Sequence, residues 1–546
     1  MSLRNRLVLP AILSALTVLA GCGGGGVSNP TPPPSGGFTN SNFNGTYTFS
    51  IAGADILSNQ TMSPFAMAGS LVACGCTQGT ISSGTVDLSD TTGVSAAATI
   101  GGNSTYRITT DGRGFAKLFI TPVGGSAFEV DVDFVLTSSS HGLIIRYDNS
   151  GTGSGTIDLQ PAAVAQSSLD VTPYAFSLSG SDNANHSLST AGALTINSSG
   201  AITTGVADFN FANLATSQLA LSGSVTVGTG TAPGSATLTT GDANFPVLTF
   251  DVYAIDSTHL KLIESDGQAV LVGDLFSQPS TSFPAGNLVF TMSGLDLNGD
   301  LFVTGGVMAS DGTSVISSGS EDVNDAGTVD NGTTTPFGFT GNFSSSGGGR
   351  FQLDLTNYVG GSTFAAYPSS GGLLMLEIDN GGVAGGFAAV QQAGATVAAS
   401  QGYGLNIQGE DLSQVFSGFP GFEFDDVAEF KTTSTGMTGL VDANDNGLFT
   451  DNMSGTYTNG SGGFGSATFT KGGFGSMFFY AVDSSTALFI STDPTQAALG
   501  SFEVQSTPVN EAHLATAKPH AMPMLRVLPR TRSGSKKNQS ILKKAK

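Results

Sequence analysis

Tryptophan is absent from this 546-residue chain, cysteine occurs three times and histidine five. Asp, Glu, Lys and Arg together make only 11%, under half of the roughly 25% usual in soluble domains. Each shortage removes a class of function. Without Trp, a sugar-binding surface built on stacked indoles is not available. His141, His186 and His259 fall in different positions or different parts of the chain, and His513 and His520 lie near its end. With no metal-ligand spacing among them, neither a zinc site nor a Ser/His/Asp set assembles from the sequence. After residue 20 no apolar run is long enough to cross a membrane as a helix. Bases are few against the acids. Between Cys22 and Glu511 there are 41 acids against 8 Lys and Arg, a balance of −33, within a total of −22. Such a body repels nucleic-acid phosphates, so no nucleic-acid partner is expected.

What the chain does have is glycine, 76 residues, roughly twice average usage. Ser, Thr, Asn and Gly supply most of its polar surface. Its 39% apolar content is enough for packed cores, and its length suits three to five domains. Gly-rich turns between short β-branched runs indicate an all-β protein.

One stretch returns four times: Tyr47-Thr-Phe-Ser-Ile-Ala-Gly-Ala-Asp55, Tyr174 to Asp182, Leu288 to Asp296 and Tyr403 to Asp411. Large apolar residues alternate with small or polar ones until Gly-x-Asp ends the run, the period of a strand with a turn behind it. Each copy closes on a second signature, Asp-x6-Gly-x4-Gln. It begins at Asp148, Asp266, Asp379 and Asp493 and finishes at Gln160, Gln278, Gln391 and Gln505. Repeats of about 105 to 115 residues are domain-sized. We therefore expect β-domains over 43–163, 172–279, 284–394 and 400–506. The second copy divides into eight short strands: Tyr174–Ser179, Ser189–Asn197, Ala201–Phe209, Leu219–Val227, Ser235–Thr239, Pro246–Ile255, His259–Glu264 and Ala269–Phe276. Short polar links make neighbouring strands hairpins. A meander of eight antiparallel strands removes its edges most economically by closing into a barrel; a β-sandwich is the alternative. In strand number and order each unit resembles the calycin barrels of lipocalins and avidin. The alternation points Tyr47, Phe49 and Ile51 into the core and Thr48, Ser50 and Ala52 outward.

The N-terminus reads as an address. Arg4 and Arg6 precede an apolar run from Leu7 to Ala20, the pattern of a secretory signal over 1–21. It ends in Leu19-Ala20-Gly21-Cys22, which resembles the lipobox of bacterial lipoproteins. That resemblance implies cleavage before Cys22, a diacylglycerol on its sulfur and an acylated, palmitate-type N-terminus, hence a membrane partner through the anchor. Gly23, where an Asp would signal retention, implies passage to the outer membrane. Residues 22–42 form a Gly-rich then Pro-rich tether. The segment 507–546 reads as a basic, disordered tail. Nine Lys and Arg lie between Lys518 and Lys546 with no acid among them.

Candidate chemistry is sparse. Asp87, Asp208, Asp322 and Asp442 recur in one hairpin position. Around the last, Asp442, Asn444 and Asn446 followed by Gly447 resemble the first half of a calcium loop. Met453 stands where the bidentate acid belongs, and the other reading is an Asx turn accepting backbone N–H bonds. Asp55, Asp182, Asp296, Asp411, Asp148, Asp266, Asp379 and Asp493, kept in every copy, are expected to be structural, capping turns. Acid pairs such as Asp131/Asp133 and Asp425/Asp426 read as solvated strand faces rather than a glycosidase pair. Cys74-Gly-Cys76 is either a small disulfide or a pair of thiols in a hairpin. No catalytic residues and no cofactor follow. The expectation is an exported, lipid-anchored envelope protein with a non-enzymatic binding, adhesion or structural role toward an envelope polymer or extracellular ligand. The alternatives are a carrier of small hydrophobic ligands and an envelope hydrolase.

Overall fold

The computed structural model describes residues 37–57, 61–170, 172–329, 336–413, 422–445 and 447–506. Cys22, the tether to residue 36, Asn446 and the basic tail lie outside them. The described residues are almost wholly strand and turn, with short helical turns at Asn40–Asn42, Gln166–Leu169 and Ser461–Gly463.

Four antiparallel sheets follow one another, each closed into a ring of eight strands. In barrel 1 the ring runs Asn44–Ile56, Met62–Cys74, Ile81–Asp90, Gly93–Ile100, Arg113–Thr121, Phe128–Leu136, His141–Arg146 and Gly151–Leu159. Each pairs with its neighbour, and the last returns to the first with Tyr47 opposite Leu159 and Asp55 opposite Gly151. Barrels 2 (Tyr174–Ser277), 3 (Ala285–Val390) and 4 (Gly402–Val504) repeat this order, so barrels replace the sandwich alternative. In barrel 2 the expected strand over 219–227 is split into Leu214–Ala220 and Ser222–Val225. The cause is a bulge: Gln218 has a left-handed φ of 57°, and register shifts opposite Asp208.

The alternation places side chains as expected. Tyr47, Phe49 and Ile51 enter a core with Phe43, Phe134 and Ile157. Rings fill the interiors, as in the contacts Phe43–Tyr47 at 4.0 Å, Phe283–Phe343 at 3.9 Å and Tyr403–Phe430 at 5.2 Å. The recurring Gly of the closing signature lets the first and last strands approach. A Cβ on Gly155 would lie 1.8 Å from the Ser50 carbonyl oxygen, and one on Gly500 2.0 Å from that of Asn406.

The outward residues bring a surprise. Thr48, Ser50 and Ala52 point away from their own core yet are at most 5% exposed. A second barrel covers them. Apolar seams join barrels 1 and 2 (Ala66, Ala68, Tyr253, Val270), 2, 3 and 4 (Ala175, Val289, Tyr367, Leu374, Tyr480), 3 and 4 (Leu301, Val383, Ile490, Leu499), and 4 and 1 (Val135, Leu143, Ile145, Val427). The last contact joins barrel 4 back to barrel 1, so the four barrels form a closed ring. Head-to-tail interfaces of this kind either close or grow into filaments; here four suffice to close.

Candidate functional site: the seams between barrels

The hairpin Asp and the closing Gln kept in all four copies meet at these seams. Each barrel's hairpin Asp reaches the next barrel. Asp87 accepts a hydrogen bond from the Tyr253 hydroxyl at 2.6 Å. Asp208 accepts from Tyr367, and Arg350 grips it through Nε at 2.7 Å and Nη2 at 2.9 Å. Asp322 accepts from Tyr480. Asp442 closes the circle, with Arg113 Nη1 of barrel 1 donating at 2.9 Å to both its oxygens. The Asx reading describes part of this: Asp87 also accepts the Ala97 N–H and Asp208 the Gln218 N–H across a bulge. The rest of the carboxylate is spent on the neighbour.

Two residues past that Asp, an Asn clamps the next barrel's backbone. The Asn210 amide donates to the carbonyls of Glu377 (3.0 Å) and Gly382 (2.9 Å), and Asn324 to those of Ser491 (2.9 Å) and Gln496 (2.8 Å). Asn444 donates to those of Arg146 (2.9 Å) and Gly151 (2.8 Å). Asp442 and Asn444, two members of the expected calcium loop, are thus committed to barrel 1, and Asn446 lies outside the described residues. Among the described residues no group of three or more His, Cys, Asp or Glu is placed to hold a metal ion.

The closing Gln is the third clamp. Gln278 donates to Pro368 O (2.9 Å), Gln391 to Ala481 O (2.8 Å) and Gln505 to Asp111 O (2.8 Å) and Leu136 O (3.1 Å). Each sits against a glycine of the next barrel with left-handed φ: Gly349 (77°), Gly463 (83°) and Gly112 (92°). The seam between barrels 1 and 2 is thinner. Ser89 stands where the other copies have Asn, and Gln160 reaches only Ala254 O, at 2.8 Å. A cavity of ≈ 20 Å³ lies there, lined by Ala52, Phe65, Gly180 and Val270, room for about one water.

Toward one end of the ring a chain of buried polar groups crosses three barrels. His259 meets Asp274 at 2.7 Å, Lys261 lies 3.3 Å from the same oxygen, and Lys261 donates to Thr156 at 2.7 Å. Thr156 donates to Asp158 at 3.1 Å, and His141 lies between Asp158 (2.6 Å) and Glu503 of barrel 4 (3.4 Å). His141 and His259 therefore hold corresponding places, each heading the seventh strand of its barrel, which their differing flanks had hidden. Burial alone would lower the His141 pKa, but Glu503 and Asp158 outweigh it and raise it to about 10. The order of groups is wrong for nucleophilic catalysis: the Thr156 hydroxyl meets a carboxylate and an ammonium rather than an imidazole base. No member of the chain is more than 7% exposed.

Acids expected to be solvated are buried instead. Asp133, Asp425 and Asp426 are at most 4% exposed, because the seam of barrels 4 and 1 covers them. Burial pushes Asp133 to about 9, Asp425 to about 7 and Glu429 to about 8, and raises Asp426 well above its usual range. Asp87, buried beside Asp251, rises to about 7.

The eight turn aspartates gather at the other end of the barrels. Asp182 accepts the N–H of Ala184 and His186, Asp296 those of Asn298 and Asp300, and Asp379 those of Ser362 and Gly381. Asp148, Asp266, Asp411 and Asp493 accept from Ser150, Gln268, Ser413 and Thr495. Asp55 differs, held by Arg146 at 2.6 Å. Cys74 and Cys76 are joined in a disulfide at the opposite end of barrel 1.

These features define a class: an all-β protein whose four eight-stranded antiparallel barrels are clamped side by side into a closed ring. Compared with known proteins, the chain matches no family model, and no curated protein matches its sequence.

Proposed function

We propose that this chain is a non-enzymatic, lipid-anchored protein of the bacterial cell envelope, carried to the outer membrane, whose ring is a rigid binding or structural platform. One observation carries the reading: the recurring hairpin Asp and closing Gln hold barrel to barrel and the recurring turn Asp caps its own turn, so none of them lines a cleft. The Asp, Asn and Gln clamps all face a neighbouring barrel, and the His–Asp–Lys chain is buried among strands. Packed aromatic interiors weigh against a carrier of hydrophobic ligands, since a carrier needs inward positions too small to fill the barrel. Burial of the titratable cluster weighs against a hydrolase, which needs a nucleophile that substrate can reach. A four-fold arrangement instead offers a repetitive partner several similar contacts at once, each raising the effective concentration of the next.

The anchor is tested by feeding expressing bacteria an alkyne fatty acid. Label should enter the wild-type chain and be lost in Cys22→Ser; equal labelling of both would overturn the lipid anchor. The platform is tested by capture from envelope glycan, lipid and protein fractions on residues 43–507. Retention of one class, with no turnover of it, is expected; hydrolysis of the captured material would overturn the non-enzymatic reading.

A further inference from the structure

The turn between the second and third strands closes differently in barrel 1. In the other barrels a side-chain oxygen at its start accepts the backbone N–H groups that follow. Asn197 Oδ1 accepts those of Ser199 and Ala201, each at 3.0 Å, and Thr433 Oγ1 accepts that of Gly436 at 2.9 Å. Asp311 Oδ1 accepts those of Thr313, Ser314 and Val315 at 2.7, 2.8 and 2.9 Å. In barrel 1 the acceptor is a sulfur: Cys74 Sγ takes the Cys76 N–H at 3.1 Å and the Thr80 N–H at 3.2 Å. Cys74 is bonded to Cys76, two residues on. Barrels 2, 3 and 4 hold no cysteine, so the shared fold closes this turn without a disulfide. A bridge between residues this close also constrains the unfolded chain little. Other bonds hold the loop in place. Asn40 Nδ2 donates to the Cys76 and Thr77 carbonyls at 3.3 and 3.1 Å, and the Gly75 N–H to Phe43 O at 3.2 Å. The loop lies at the end of the ring from which both termini of the folded part leave. There the Phe38 amide donates to Thr110 O (3.2 Å) and the Gln505 side chain to Asp111 O (2.8 Å). A Cβ on Gly112 would meet both Gln505 Nε2 (2.6 Å) and the Phe38 ring (3.0 Å).

The two sulfurs are not equivalent. Cys74 packs against the core of barrel 1, whereas Cys76 is followed by the exposed Thr77 and Gln78. Asp311 shows what this turn does to a negative charge: the N–H groups of Val315, Ser314 and Thr313 hold its carboxyl below the usual range. Backbone N–H groups aimed at Cys74 Sγ likewise favour a thiolate there. We propose that Cys74–Cys76 is a thiol–disulfide exchange site for cysteine thiols of other exported proteins, attacked at Cys76 with Cys74 as the leaving group. A partner thiolate forms an S–S bond to Cys76. The Cys76–Cys74 bond breaks, and its electron pair stays on Cys74 Sγ, facing the Cys76 and Thr80 N–H groups. Attack by Cys74 on Cys76 reverses the step and frees the partner thiolate. Where the partner has a second thiol, its thiolate displaces Cys76 instead. The partner then leaves as a disulfide and Cys74 and Cys76 are both thiols, a transfer of two electrons. The exchange is stoichiometric, so it adds a covalent contact to the platform without turnover.

The exported setting of the partner rests on the lipid-anchor reading, whereas the sulfur chemistry does not. The test therefore uses residues 22–546 carrying Cys22→Ser, which leaves Cys74 and Cys76 as the only sulfurs that can exchange. The protein is mixed with reduced glutathione, quenched at intervals with N-ethylmaleimide and mapped by peptide mass. Glutathione is expected on Cys76 and the maleimide on Cys74. Glutathione found on Cys74, or no mixed disulfide at any interval, overturns the proposal. A second variant, adding Cys74→Ser, is loaded at Cys76 with oxidised glutathione. It should keep the adduct after free glutathione is removed, while the protein with Cys74 present should lose it; equal retention overturns the role of Cys74. The fully reduced protein should melt within about 2 °C of the oxidised one. A larger fall makes the bridge a structural staple and overturns the proposal as well. Failure here leaves fatty-acid labelling at Cys22 untouched, and failure of that labelling leaves the exchange result standing.

Discussion

Asp442 compresses the residue-scale problem into one side chain. It is fully buried, and only Arg113 from the far end of the sequence, with Thr450 at 2.7 Å, repays its loss of water. Removing one member of such a pair strands the other. Asp442→Ala or Arg113→Ala should each lower stability by about 3–5 kcal/mol, and the double change to Leu should recover most of it. Denaturant midpoints of the three variants check this, and equal losses in single and double variants would contradict it. The clamping Gln is a milder case. Gln505→Ala leaves two buried carbonyls without a donor, and about 1–3 kcal/mol is the expected loss. The sequence marked both residues as recurrent but not what they touch. An Asp or Gln kept four times looks the same whether it closes its own turn or grips a neighbour. The legible sign was Asp-x-Asn at Asp208, Asp322 and Asp442, where the Asn amide donates only to carbonyls of the next barrel.

At the scale of elements, alternation was enough to find the strands and assign their inward faces. Phe49 and Ile51 could be placed because period two is a local property. The outward face was not readable, since Thr48 and Ser50 suit both water and a polar seam. Bulges escaped for a similar reason: Ala97 and Gln218 have left-handed backbone that only a facing carboxylate explains. The glycine of the closing signature is the most exacting element feature. Gly155→Ala must push the Ser50 carbonyl aside and should cost about 2 kcal/mol or more. Gly338→Ala, whose nearest heavy atom would lie 3.9 Å away, should be neutral within about 0.5 kcal/mol. Thermal melts of the two variants give the comparison.

For the whole molecule, closure ties stability to protonation. Asp133, Asp425, Glu429 and Asp87 titrate higher in the fold than in the unfolded chain, near 9, 7, 8 and 7 against about 4. Between those limits the folded state holds more protons, so stability is greatest below about pH 4 on this account and falls as pH rises toward 9. His141, raised from 6.5 to about 10, adds stability present below pH 6.5 and lost through 10. The melting temperature should therefore drop steadily from pH 5 to pH 9; a rise over that window would contradict the burial of these acids. Closure also implies that a partial ring is unsatisfied. A chain ending before residue 400 would expose the seam faces of barrels 1 and 3, including Val135 and Leu301. It should associate head to tail in sedimentation velocity runs while the complete ring does not.

The meeting of Phe38 and Gln505 over Gly112 makes the order of the four barrels a matter of convention. Joining those two ends and cutting instead between Gln278 and Phe283 would give a circular permutant reading 3-4-1-2, with the same neighbours around the circle. Which barrel is synthesised first, and which clamp forms last, could then be varied while the folded object stays the same.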